Sequence, residues 1–205
     1  MSKEHPDTGP GRGPAEHDVR TQIVLAATKH FTQYGYEKTT VAELAQAIGF
    51  SKSYIYKFFE SKQAVGEVIC FNRLQEIRDT VAALLQEASS PSDKLRRLFR
   101  GYMEAGSQLF FQERKLYEIA ATAAAAPWPS MKAHEQQVRS LVTDILREGR
   151  ERGEFERKTP LDEAAEAIYL ALRPYINPLQ LQYNLDNIDQ SATLLCGLAL
   201  RSLAP

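Results

Sequence analysis

Cysteine is scarce in this chain of 205 residues, and its two copies, Cys70 and Cys196, stand far apart. No CxxC pair occurs, which excludes zinc-finger ligand spacing and a disulfide framework. The expectation is two buried thiols in a reducing cytoplasm. Histidine is nearly as sparse, with four copies: His5 and His17 in or near the N-terminal tail, His30 and His134. No apolar run is long enough to span a bilayer, and the polar N-terminus lacks the apolar stretch of a signal peptide. Charge of one sign is also missing: 25 Lys and Arg stand against 26 Asp and Glu, a net charge of −1. A bulk polycation is excluded, so any hold on nucleic acid must come from a local basic surface. No segment sustains the apolar–polar alternation of a strand.

These absences also bear on catalysis. There is no Gly-rich phosphate loop, no nucleophile–base pair within a supporting motif and no metal-ligand set; His134 has no second ligand at a suitable spacing. The expectation is a non-enzyme without metal or cofactor.

What the chain does have is helical periodicity. Residues 1–16, with Pro6, Pro10 and Pro14 among Gly9, Gly11 and Gly13, read as a disordered arm. From Asp18 onward the pattern is helical. Ile23, Ala26, Ala27, His30 and Phe31 form one stripe, and Gly35 ends that helix. Thr40 before Val41, with Glu43 three residues on, makes a capping box for a second helix that Gly49 ends. Ser51 caps a third helix, and Ser61 caps a long fourth that runs to about residue 87. After a break at residues 89–93, further helices are expected at about 93–109, 112–125, 130–152, 161–176 and 187–203, with Pro174 and Pro178 ending or kinking the penultimate one. The fold class is all-α with about nine helices: a disordered arm at 1–16, a three-helix DNA-binding head at 17–62 and a ligand-binding and dimerisation body at 63–205.

Residues 39–62 are the most specific stretch: two short helices about a Gly-containing turn, the layout of a helix-turn-helix. Between residues 20 and 62, six cations (Arg20, Lys29, Lys38, Lys52, Lys57, Lys62) face three carboxylates (Glu37, Glu43, Glu60), a local surplus of three positive charges. Ile55 and Phe59, four apart, are expected to turn inward with Leu44, Ala45 and Ile48. Outward, Ser51, Lys52 and Ser53 open the second helix, where base edges and flanking phosphates are met. Tyr54 offers a ring for a thymine methyl, and Tyr56 and Lys57 offer phosphate contacts. Thr40 places a hydroxyl beside the free N–H groups of a helix start, an anion site as well as a cap. Lys62 is a cation in a first turn, against the helix dipole, which a facing phosphate would explain.

The run Ile23–Ala27, Phe31, Tyr34-Gly35-Tyr36, Thr39-Thr40-Val41, Leu44-Ala45, Ile48-Gly49, Ser51-Lys52, Ile55-Tyr56, Phe59 and Ser61-Lys62 resembles the N-terminal signature of the TetR family of repressors. Ser53, Tyr54 and Phe58 depart from it, where that family often has glycine, threonine and histidine. The resemblance implies a homodimer on a double-stranded DNA operator, a small-molecule inducer, and a bundle formed across the dimer by the last two helices. The stripes Leu161, Ala165, Ile168, Leu172 and Tyr175, and Ile188, Ala192, Leu195 and Ala199, suit such a bundle, with internal core as the alternative. Aromatic and flexible residues between the fourth and seventh helices suit a ligand pocket. Phe71, Phe99, Tyr102, Met103, Tyr117 and Trp128 are the expected lining, with polar groups such as Glu118 and His134 interleaved. The alanine-rich run 120–126 leaves room for a void beside those aromatics. A regulator governed by a protein or by redox state instead of a small molecule is the second reading, and a helical scaffold or enzyme the third.

Overall fold

The computed structural model describes residues 16–205. Among them the chain is all-α, in ten helices without a strand: α1 (Glu16–Tyr34), α2 (Val41–Ile48), α3 (Lys52–Tyr56), α4 (Lys62–Gln86), α5 (Pro91–Gln112), α6 (Arg114–Ala125), α7 (Pro129–Glu151), α8 (Leu161–Ile176), α9 (Pro178–Leu181) and α10 (Ile188–Ser202). The arm expected at 1–16 lies outside the described residues, except Glu16, which opens α1. No described helix is long and apolar enough to cross a membrane.

Local chemistry sets most boundaries. Gly35 and Gly49 stop α1 and α2 with φ of 89° and 79°, a backbone region open to glycine and strained for other residues. Ser51, Ser61 and Ser90 accept from Tyr54 N, Ala64 N and Asp93 N and so cap α3, α4 and α5. Two expectations change. Pro91 does not belong to the break: it opens α5 behind the Ser90 cap, because a first-turn residue needs no N–H partner. Pro174 lies inside α8, which ends two residues later, and Pro178 starts the extra short helix α9.

Two large apolar cores hold the described residues, with a small third cluster of Leu109, Tyr117 and Leu181 joining α5, α6 and α9. The first gathers Ile23, Phe31, Leu44 and Ile55 of α1–α3 and Phe59 in the turn after α3 with Val65, Ile69 and Leu74 of α4, Ile119 and Ala123 of α6, and Trp128. It therefore does not close at Lys62, and the early half of α4 is part of the head's interior. The second joins α4, α5, α7, α8 and α10 through Leu95, Leu98, Phe99, Met103, Val142, Leu146, Tyr169 and Leu172. The thiols of Cys70 and Cys196 are buried, and burial pushes both up to about 11.

Candidate functional site

The helix-turn-helix is built outward from its caps. Thr40 accepts from Glu43 N at 3.2 Å, and the Glu43 carboxylate returns to Thr40 N at 2.6 Å and Thr40 Oγ1 at 2.9 Å, a complete capping box. Those bonds, from the backbone first, hold the Glu43 carboxyl below its ordinary range. They also put a carboxylate over the N-terminus of α2, so an anion there must share the end with Glu43. This narrows the phosphate role expected of Thr40. Gly49 then turns the chain, with Phe50 N bonded to Ala45 O at 2.9 Å.

Helix α3 is divided by burial. Ile55 is 1% exposed and Phe59 2%, the inward pair expected from their spacing. Arg20, expected only as one of the local cations, fixes the far end: its Nη1 donates to Phe58 O at 2.7 Å and its guanidinium lies 4.2 Å from the Phe59 ring centre. On the outward side Ser51, Lys52, Ser53, Tyr56 and Lys57 are exposed. No carboxylate among the described residues pairs with Lys52 or Lys57; each lies near a ring instead, Lys52 Nζ 5.8 Å from Tyr56 and Lys57 Nζ 5.6 Å from Tyr54. Tyr54 is half-buried, its ring edge-to-face between Phe50 at 4.9 Å and Phe58 at 5.3 Å. It is a rung of an aromatic ladder and less free than a base-reading side chain. Phe58, one of the departures from the family pattern, packs against the head core.

Lys62 has partners within the chain that its spacing did not suggest. Its ammonium donates to the carbonyls of Tyr36 at 3.0 Å and Glu37 at 3.4 Å, and sits 4.3 Å from the Tyr36 ring centre. These contacts tie the first turn of α4 to the α1–α2 turn and leave one of the three ammonium donors for another acceptor. Beneath that turn, buried Thr39 donates from Oγ1 to Gly35 O at 2.7 Å.

In the body, a narrow cavity of about 20 Å³, room for roughly one water, lies among α4 to α9. Of the six expected lining residues, Tyr102 and Tyr117 reach it. Phe71 is 46% exposed on the outer face of α4. Phe99 and Met103 are sealed in the second core. Trp128 belongs to the head core, edge-to-face with Tyr36 at 5.9 Å and against Gly66. Periodicity places a side chain on a helix face but does not say which neighbour that face meets. Leu74, Ile77, Leu109 and Leu181, which the sequence did not single out, complete much of the wall, together with His134. The open void expected beside the alanine run is absent from these residues: Ala120 touches the narrow cavity and Ala123 is fully packed in the head core.

The expected dimer stripes are also redistributed. Ala165, Ile168, Leu172, Ala192 and Ala199 are buried inside the chain. The apolar residues left outward on α8 and α10 are Leu170, Leu194 and Leu198, at 49%, 62% and 59% exposure.

Comparison with known proteins bears on both parts. Residues 23–67 match the model for bacterial regulatory proteins of the tetR family, and residues 91–193 match the tetracyclin repressor-like C-terminal domain. The HTH-type transcriptional repressor DhaR of Mycobacterium sp. strain GP1 is 24% identical over 88% of this chain and 92% of that protein. The HTH-type transcriptional repressor KstR2 of Mycolicibacterium smegmatis is 32% identical over 77% of this chain and 75% of its own length. Among solved structures, the fatty acid degradation regulator FadR from Bacillus halodurans superposes with a TM-score of 0.66 at 20% identity, covering 93% of this chain and 97% of that one.

Proposed function

The chain belongs to the TetR family of regulators, and we propose that it represses transcription as a homodimer that leaves a two-fold DNA operator when a small, largely apolar ligand enters its body. It is a helix-turn-helix transcriptional regulator, a class that acts by binding DNA and not by catalysis. The observation that carries the operator assignment is the outer face of α3, where Lys52, Ser53, Tyr56 and Lys57 are exposed without acidic partners on a helix anchored by Ile55, Phe59 and Arg20. In this reading Ser51, Lys52 and Ser53 meet bases or phosphates at the start of the helix, Tyr54 adds at most its ring edge, Tyr56 and Lys57 hold phosphates, and Thr40 contributes at the start of α2.

Residues 17–62 act as the reading head and 63–205 as the body, in the cytoplasm, where the chromosome of a bacterial regulator lies. A single head is worth too little affinity, since each base contact contributes only about 1–3 kcal/mol. The outward leucines of α8 and α10 offer a second copy an apolar face, and symmetry then sets two heads about one DNA turn apart, ~34–36 Å. Helix α4 links the two functions. Lys62 roots it in the α1–α2 turn, Glu67 caps the start of α7 by accepting from Ser130 N at 2.6 Å, and Leu74 and Ile77 line the cavity. A ligand that prefers a displaced α4 shifts the heads, by no more than its difference in affinity for the two states.

Selection of bound sequences from random DNA by the purified protein tests this reading. A palindromic site with half-sites about one turn apart is expected; recovery of sequences no different from the input pool would overturn it.

A further inference from the structure

We propose that the cavity closed by α9 recognises a neutral oxygen function, a hydroxyl or a carbonyl, on a small apolar ring, with Tyr102 and His134 as its hydrogen-bonding partners. The biological meaning rests on the regulatory reading above; the chemistry of the site does not.

Tyr102 is 2% exposed and His134 4% exposed, their rings stand edge-to-face at 5.8 Å, and both line the cavity. Neither the Tyr102 hydroxyl nor His134 Nδ1 has a hydrogen-bond partner among the described residues. Both atoms are sealed in the present packing, and because buried polar groups are almost always paired, a molecule that reaches them when a wall shifts supplies the missing bonds. Leu74, Ile77, Leu109 and Leu181 make the surroundings apolar, which disfavours an ionised group. Arg78 is the charge both groups feel, but its Nη2 turns to Asp79 Oδ1 at 3.3 Å and it does not line the cavity. Burial, with Arg78 second, holds His134 down at about 4, so the imidazole is neutral near pH 7 and offers one donor and one acceptor. A ligand hydroxyl satisfies either tautomer while accepting from Tyr102; a carbonyl accepts from Tyr102 or from Nδ1–H.

The cavity, about 20 Å³, admits no ring until a wall moves. The four residues of α9 supply one wall, through Pro178 and Leu181. The Tyr117 hydroxyl donates to Pro178 O, and Leu181 Cδ2 comes within 2.8 Å of where a Cβ on Gly106 would stand. In the proposal, a ligand is admitted by outward displacement of Pro178–Leu181, which must break these two contacts and which enlarges the cavity that Tyr102 and His134 also line.

Calorimetric titration of the full chain, without DNA, with p-cresol, p-tolualdehyde, toluene and p-toluate tests the proposal. The cresol or the aldehyde is expected to bind at least tenfold more tightly than toluene, and the better of the two tells hydroxyl from carbonyl. That ratio should fall below threefold in Tyr102→Phe and in His134→Leu, while Tyr102→Phe melts no lower than the wild type because its hydroxyl has no partner to lose. Leu181→Ala should tighten the binding of every neutral probe. Equal binding of toluene and p-cresol, stronger binding of p-toluate, retention of the ratio in both variants, a lower melting point for Tyr102→Phe, or no binding of any probe even to Leu181→Ala would each overturn it. Operator binding by the same preparation needs no ligand, so failure of this site is distinguishable from failure of the regulatory reading.

Discussion

At Lys62 the ammonium has three N–H donors, and two of them are directed at the carbonyls of Tyr36 and Glu37. Lys52 and Lys57 have no such partners and stand in solvent. The three lysines should therefore respond differently to removal. Lys52→Ala and Lys57→Ala are each expected to weaken operator binding and to lower the slope of log affinity against log salt by about 1, with the melting temperature unchanged. Lys62→Met is expected to cost about 1–2 kcal/mol of stability through its lost charge-assisted bonds, with little change in that slope. Gel-shift titrations at several salt concentrations, beside thermal melts, separate the two behaviours.

His134 carries a second prediction at this scale. Its folded-state value of about 4 lies below the ordinary 6.5, so the unfolded chain binds more protons between those limits. Its contribution is fully retained above pH 6.5 and is lost as pH falls from 6.5 to about 4. His134→Leu should flatten that part of the stability–pH curve by up to about 3 kcal/mol, measured by urea unfolding at successive pH values.

Among elements, α4 is the one whose surroundings change along its length: head core at Val65 and Ile69, cavity at Leu74 and Ile77, body core at Val81 and Leu85. Its approach to the head depends on Gly66. A Cβ there would lie 2.8 Å from Tyr36 Cε2 and 3.1 Å from Trp128 Cη2, and both rings are packed, not free to swing away. Gly66→Ala is expected to lower stability by about 1–3 kcal/mol through overpacking, and to weaken operator binding because Tyr36 also supplies a carbonyl to Lys62. Melting temperature and operator affinity should fall together. Unchanged affinity in a destabilised Gly66→Ala protein would mean that this seam does not set the head's position.

For the molecule as a whole, the outward leucines of α8 and α10 are a burden unless something covers them. If the proposed dimer forms through this face, the double variant Leu194→Glu with Leu198→Glu should sediment as a monomer, keep its helical circular dichroism and lose operator binding. Analytical ultracentrifugation reads the first outcome and a gel shift the last. A variant that stays dimeric would move the interface off α10.

Much of the head was legible from spacing, because the information is local. The Thr40–Glu43 box, the Ser51 and Ser61 caps, the stops at Gly35 and Gly49 and the Ile55/Phe59 pair each rest on contacts within a few residues. Those short-range patterns, with the absence of strand alternation, were enough to determine an all-α chain bearing a helix-turn-helix. The tertiary structure alone decided the long-range pairings. Lys62 reaches back to Tyr36 and Glu37, Arg20 crosses to Phe58, Trp128 returns to the head, and Phe71 turns outward although its composition suited a pocket. An aromatic residue on a helix face is equally suited to a core, a cavity wall or a surface. Which one it becomes depends on the element packed against it, and residue spacing within one helix carries no information about that partner.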